Sequence, residues 1–256
     1  MKMPEPPLTK VTENYQFHFP NVEDKLDQDE EFLFLQHNGQ ETKILFHEYD
    51  RIFEIPGLYE QVFYKKLKCQ SPQVVVNLLE AQLGDTDQTI EDLRVLDLGA
   101  GNGMVGEEFA NRNAELVVGS DIIPQAKQAV LRDRAGVYDD YYISDFTNLS
   151  KKEEEKFQEY RFNTLVTVAA LGFGDIPPEA FMGAFDMVEN GGWIVFNIRD
   201  KFLTSKDDTG FQEAIEALTE EYFEVKDSKQ YIHRYNIHGE PLTYKAFVGK
   251  KIKDLS

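Results

Sequence analysis

The sequence predicts an α/β fold built on a doubly wound, mostly parallel sheet. Three observations carry this. From Leu93 onward, short apolar runs alternate with helical patterns. A glycine-rich turn, Gly99 to Gly103, stands where one strand passes into a helix. Two extended stretches then close the chain with a short polar connection between them. Alternation of this kind indicates βαβ units with helices on both sheet faces.

The elements follow in order. Pro4, Pro6 and Pro7 interrupt regular structure, and NVEDKLDQDEE (Asn21 to Glu31) is a charge run without apolar period. Such a block normally stays hydrated, so the first thirty residues are expected to form a solvated arm. FLFLQ and ETKILF flank Asn38-Gly39 and predict a β-hairpin, because a type I′ turn needs positive φ at both central residues. Asp50 to Lys68 reads as two short helices broken at Pro56-Gly57, with an aromatic face of Phe53, Tyr59, Phe63 and Tyr64. Ser71-Pro72, an N-cap followed by proline at the first helical position, opens the helix VVVNLLEAQL. Residues 1–70 are thus expected to form an arm, hairpin and helical cap, and residues 71–256 the main domain.

In that domain RVLDLG is a strand, GMVGEEFANRN a helix and ELVVGSD a strand. PQAKQAVLRDR is a helix opened by Pro124, followed by the strand YYISD. KKEEEKFQEYR is a polar helix or loop, and FNTLVTVAAL a long β-branched strand. PPEAFMGAFDMV is a helix stopped at Asn190-Gly191-Gly192, and GWIVFNI a strand with Trp193 in the core. After the helix FQEAIEALTEEY, the stretches FEVKDSKQYIHRYN and LTYKAFVGKKI are separated by His238-Gly239-Glu240-Pro241. So short a link makes them an antiparallel pair at one sheet edge.

Composition bounds the function. The chain of 256 residues carries 46 acidic and 27 basic side chains, a formal charge of −19. A nucleic-acid binder needs a basic stripe to release counterions, and an anionic membrane likewise attracts basic segments, so neither partner is expected. Nineteen Phe and twelve Tyr supply a real core. The single cysteine, Cys69, excludes an intramolecular disulfide and a cysteine-cluster metal site, and reads as a small buried hydrophobe. The opening MKMPEPPLTK lacks the apolar stretch of a secretory signal, and no run approaches the ~20 apolar residues of a membrane span, so a cytoplasmic location is expected.

The chemistry is concentrated in VLDLGAGNGMVG, Val95 to Gly106. Its glycines permit G-x-G-x-G from Gly99 or the dinucleotide fingerprint G-x-G-x-x-G from Gly101. That fingerprint places its first glycine directly after the strand, and its third, counted from Gly99, falls on Met104. Asp97 lies inside the strand, where a carboxylate would repel a pyrophosphate. Asp97, Asp121 and Asp145 recur at equal spacing, one βα unit apart, which is expected to bring all three to the rim where open α/β sheets bind ligands. Three carboxylates suit a nucleoside that carries positive charge and hydrogen-bond donors, as S-adenosylmethionine does.

On these residues the chain resembles the class I S-adenosylmethionine-dependent methyltransferases, over roughly Ser71 to Ile252. AALGFGDIPPEA and GGWIVFNIR are similar to the Williams-Beuren region methyltransferase-like branch. The resemblance implies a Rossmann-like sheet of seven strands in the order 3-2-1-4-5-7-6, with strand 7 antiparallel, and S-adenosylmethionine as cofactor. By motif, Asp97, Gly99, Ala100, Gly101 and Gly103 would cradle its methionine part and ribose. Asp121 with Ile122 would take the ribose hydroxyls, Asp145 and Phe146 would address adenine, and Ala169 would face the sulfonium edge. The family often closes this site with elements preceding the first strand, where a tyrosine ring can attract a sulfonium.

Methyl transfer from a sulfonium is an in-line displacement that needs alignment, water exclusion and, for some acceptors, removal of a proton, with no metal required. The Asn/Asp-Pro-Pro-Tyr tetrad of nucleobase amino methylation is missing after the fourth strand, where Ala169-Ala170-Leu171-Gly172 stands. No Pro-Cys nucleophile for a pyrimidine ring exists there either. A small-molecule acceptor with oxygen, nitrogen or sulfur is therefore the default expectation, with a protein side chain as the alternative. Groups that could serve it are His47, Tyr49, Tyr59, Arg199 and His233, while His18 and His37 are assigned nothing. Two other readings stay open: a protein that holds the cofactor or its demethylated product without catalysis, and an NAD(P)-dependent oxidoreductase. Oligomeric state is not legible.

Overall fold

A computed structural model describes residues 15–21, 26–37, 39–204 and 209–255. The arm prolines Pro4, Pro6 and Pro7 and the turn residue Asn38 lie outside the described residues.

The chain opens with a three-stranded antiparallel sheet, β1 (Gln16–His18), β2 (Phe32–His37) and β3 (Gln40–Leu45), in the order β1-β2-β3. β2 and β3 form the expected hairpin; the three-residue β1 beside it has too little pattern to be read from sequence. Helix α1 (Tyr49–Glu54) follows, then a π-helical segment, Glu60–Lys66, in which the Leu67 amide reaches back to the Val62 carbonyl. Leu33, Leu35, Ile44, Phe46, Ile52, Val62 and Phe63 give this cap a core of its own.

The main sheet has seven strands: β4 (Arg94–Leu98), β5 (Leu116–Asp121), β6 (Asp140–Ile143), β7 (Phe162–Thr167), β8 (Val188–Arg199), β9 (Phe223–Tyr235) and β10 (Pro241–Lys251). They run in the order β6-β5-β4-β7-β8-β10-β9, which in the sheet's own numbering is 3-2-1-4-5-7-6. β4 pairs in parallel with β5 and β7, and β10 is antiparallel to both neighbours, so the last strand inserts between β8 and β9 as expected.

Helices cover both faces. α2 (Ser71–Leu83) and α3 (Met104–Ala110) bury Val75, Leu79, Val105 and Phe109 against Val95, Val117 and Val195. α4 (Pro124–Asp133) lies beside α1, joined through Phe53, Ala126 and Val130. On the opposite face α5 (Lys151–Glu159), α6 (Pro178–Asp186) and α7 (Phe211–Glu221) bring Phe157, Phe181, Phe185 and Phe211 against Leu96, Leu165 and Phe196. Local rules account for several starts. Pro124 and Pro178 occupy first-turn positions, where their missing amide costs nothing. Ser150 accepts from the Glu153 amide while Glu153 accepts from the Ser150 amide, a capping box that makes KKEEEKFQE a helix. Among the described residues no helix is long and apolar enough to cross a membrane.

Four expectations fail. The helix over PPEAFMGAFDMV ends at Asp186, and Asn190-Gly191-Gly192, expected to stop it, lie inside β8. The charge run is not a solvated arm at its C-terminal end: Glu31 is fully buried and its carboxylate takes a charged hydrogen bond from Arg234. Asp27 pairs with Arg199 and Lys201, and Gln28 donates to the Tyr244 hydroxyl. Ser71 is not an N-cap; Gln70 holds that place without a side-chain bond, and the Ser71 hydroxyl turns to Tyr231 and His233. The long strand read over FNTLVTVAAL stops at Thr167, since Ala169 adopts φ +57°, which no strand accommodates.

Candidate functional site

The site is organised by the turn between β4 and α3. Gly99 has φ +72° and Gly101 φ +51°, conformations that an L side chain resists. At Gly99 a Cβ would also stand 2.7 Å from Ile176 Cδ1, so only glycine lets the loop after β7 close over the turn. The amides of Gly99 and Ala100 donate to the Ser120 carbonyl, tying the turn to β5. Asp121, at the end of β5, completes the brace by accepting from the Gly101 and Ile123 amides at 2.9 Å each. Burial raises its pKa, the backbone donors opposing.

A cavity of about 290 Å³ opens over this turn. Gly99, Gly101, Asp121, Ile122, Asp145, Phe146 and Ala169, all expected at a cofactor site, line it. His47, Tyr49 and Tyr59 from the cap form its roof. A smaller cavity of about 60 Å³ adjoins it, sharing His47, Tyr49, Tyr59, Gly99, Gly101 and Ala169, and adding Ala100 and His233.

The expected convergence of Asp97, Asp121 and Asp145 needs correction. Asp97 is fully buried and does not line either cavity. Side chains alternate along a strand: Leu96 and Leu98 face the α5–α6 side, so Asp97 shares the face of Val95, toward α2 and α3. There the Tyr138 hydroxyl donates to its Oδ2 at 2.6 Å, while Oδ1 has no partner. Desolvation pushes its pKa up to about 7. Gly103 also lies outside both linings; with φ +89° it is the residue that starts α3. Asp145 does line the main cavity, but it is exposed and its carboxylate accepts from the Thr147 amide and hydroxyl, which hold its pKa below the ordinary value. The third carboxylate at the cavity is Asp175, in the loop after β7.

Of the acceptor-side candidates, His47 contacts Asp175, Nδ1 to Oδ1, at 3.2 Å. Tyr49 stacks on Phe53, and Tyr59 packs against Phe53 and Phe63; burial raises both phenol pKa values. Arg199 stands outside both cavities, paired with Asp27 and facing the Phe173 ring. His233 is buried, bonded through Nδ1 to the Ser71 hydroxyl at 2.6 Å and packed on Tyr244. Burial holds its pKa well below the usual histidine value. Cys69 is half-buried beside it.

Two residues that sequence reasoning passed over matter here. Asp175 was visible as an acid between Gly174 and Ile176-Pro177-Pro178, but nothing local ties it to His47, 128 positions away. Asn197, on β8, accepts from the Ala169 amide and donates to the Tyr231 hydroxyl, so it supports Ala169 in its left-handed conformation. It sits in an apolar strand and gives no signal by itself.

No family model matches the chain, and no curated protein does. Solved structures do. The N-methyltransferase NodS from Bradyrhizobium japonicum, bound to S-adenosyl-L-homocysteine, superposes with a TM-score of 0.56 at 14% identity, covering 81% of this chain and 98% of that one. A Pyrococcus horikoshii protein, provisionally described as an RNA methyltransferase, gives 0.51 at 17% identity, over 71% and 83%. An S-adenosylmethionine-dependent methyltransferase from Methanosarcina mazei gives 0.50 at 18% identity, over 67% and 97%. The chain has the class I methyltransferase fold. Within that fold the β4–α3 turn, the end of β5 and the end of β7 all border one cavity, roofed by a cap that precedes the sheet.

Proposed function

We propose that the protein binds S-adenosylmethionine in the main cavity and transfers its methyl group to a small-molecule acceptor. The observation that carries this reading is the brace between Asp121 and the Gly101 amide. It sets a carboxylate at the cavity rim directly beside bare backbone. The residues present fit the cofactor. Asp121 can accept from ribose hydroxyls, as a carboxylate with two oxygens and several lone pairs. Ile122 and Phe146 offer apolar surface on the adenine side. Asp121, Asp145 and Asp175 make the lining acidic, which favours a cationic nucleoside and disfavours a pyrophosphate. When bound, the cofactor supplies a methyl group activated by a sulfonium. The chain's part is to align the acceptor and to exclude water, which the roof of Tyr49, Tyr59 and Phe53 is shaped to do.

A small acceptor is favoured over RNA by the charge of −19. It is also favoured by the cap, whose buried Glu31–Arg234 pair joins it to β9 beside the site and neutralises that guanidinium. Calorimetry with S-adenosylmethionine and with NAD(P) tests the cofactor. Binding of the dinucleotide alone would reverse the reading. Transfer of labelled methyl from the cofactor into a metabolite extract tests catalysis. Binding without transfer would leave a cofactor-holding protein.

A further inference from the structure

His47, from the cap, and Asp175, from the β7–α6 loop, meet at the wall of the cavity. Their side chains are 20% and 25% exposed, so the pair is mostly shielded yet open to the cavity. The imidazole is held on three sides: Asp175 at Nδ1, the Tyr49 ring at 5.5 Å and the Phe173 ring at 5.5 Å. A carboxylate only accepts, so in the neutral ring Nδ1 carries the hydrogen and Nε2 keeps its lone pair. An aspartate that fixes tautomer and orientation in this way is what a histidine base needs.

We propose that His47 is the general base of methyl transfer, positioned by Asp175. The acceptor is then methylated at an atom that carries a proton and arrives uncharged, a hydroxyl or an amine. This rests on the cofactor reading above. An acceptor that ionises by itself would need no base, and as an anion it would be repelled by Asp121, Asp145 and Asp175, all on the same cavity. In the step, a hydroxyl's O–H bond breaks, its proton passes to Nε2 of His47 and the freed electron pair forms the bond to the methyl carbon. An uncharged amine attacks through its own lone pair, and an N–H proton of the ammonium so formed passes to Nε2. The carbon–sulfur bond breaks with its pair remaining on sulfur, turning a sulfonium into a neutral thioether. The positive charge lost by the sulfonium reappears on the imidazolium, which the Asp175 carboxylate pairs, so charge is conserved and no co-reactant is needed.

The test uses His47→Gln and Asp175→Asn in the full chain. Nitrogen NMR of histidine-labelled protein, with the His47 signals assigned by their loss in His47→Gln, reads the tautomer directly. The expected form is Nδ1–H in the wild type, with that preference lost in Asp175→Asn. In parallel, methyl-labelled S-adenosylmethionine is incubated with a deproteinised metabolite extract. Transfer is expected to fall about 10²–10⁴-fold in His47→Gln while calorimetric affinity for the cofactor is kept, and the labelled product is expected to bear its methyl on an oxygen or nitrogen that had carried hydrogen. Wild-type transfer by His47→Gln, an Nε2–H tautomer in the wild type, or methylation of an atom that had no proton overturns the base. Cofactor binding without any transfer by the wild type is a different failure, which removes the methyltransferase reading and the base with it.

Discussion

Asp97→Asn is the perturbation whose consequence is best determined by the structure. Asp97 is wholly buried beneath the glycine-rich turn, with one oxygen on the Tyr138 hydroxyl and the other without a partner. Burial raises its pKa to about 7 from an ordinary carboxylate value, the Tyr138 bond opposing and the Asp121 charge adding. A carboxyl raised in the folded state keeps its proton where the unfolded chain has lost it. The folded state therefore gains nothing from Asp97 below about pH 4, loses stability as pH rises from there to about 7, and bears the whole penalty above. Roughly three units at about 1.4 kcal/mol each give about 4 kcal/mol as the ceiling. Asparagine presents the same oxygen to Tyr138 and does not titrate, so the stability of Asp97→Asn relative to the wild type should climb with pH across this window. Urea unfolding followed by Trp193 fluorescence, at about pH 5, 7 and 9, measures the difference. A difference that stays level over that range would refute the reasoning, because it would mean the folded carboxylate is ionised throughout.

Three further outcomes are expected. Asp121→Ala removes both the rim carboxylate and the brace on Gly101, and should weaken cofactor binding by roughly 1.5–3 kcal/mol in calorimetry; unchanged affinity in a folded variant would place the ribose elsewhere. Gly101→Val forces a branched side chain into φ +51° with its Cβ 3.3 Å from Phe53 Cζ, so cofactor binding should be lost, and normal binding would contradict the close backbone approach. Glu31→Gln leaves the buried Arg234 guanidinium without its counter-charge and should cost about 3–5 kcal/mol of stability, read as a lower urea midpoint; an unshifted midpoint would show that water reaches the pair.

The sheet was legible because its evidence is local and repeated. The central strands β4, β5 and β7 are short apolar runs separated by helical patterns, and Gly99 and Gly101 mark the turn that borders the main cavity. The strand order came from family resemblance, since nothing in FEVKDSKQYIHRYN alone says that the following strand will insert beside β8. That Gly99, Gly101, Asp121, Ile122, Asp145, Phe146 and Ala169 border one cavity was legible for the same reason as the strands. Asp97 was misplaced because equal spacing along the chain fixes which strand end a residue reaches, but not which face it takes; the alternation of Val95 and Leu96 already held that information. Glu31 was misread for another reason. A charge run looks hydrated unless its partner is known, and Arg234 lies 203 positions away. The His47–Asp175 contact was hidden by the same kind of distance, joining the cap to the β7–α6 loop across 128 positions.

The Glu31–Arg234 pair has a consequence for how this molecule can be taken apart. The Gln70 amide bonds to the His233 carbonyl and the Tyr235 amide to the Leu67 carbonyl, so strand and cap are stitched on both sides of the buried charge. A fragment beginning at α2 would inherit a guanidinium in a dry place with its neutralising group removed. Such a piece would be driven to hydrate that spot, loosening the end of β9 next to the very cavity it was cut out to study.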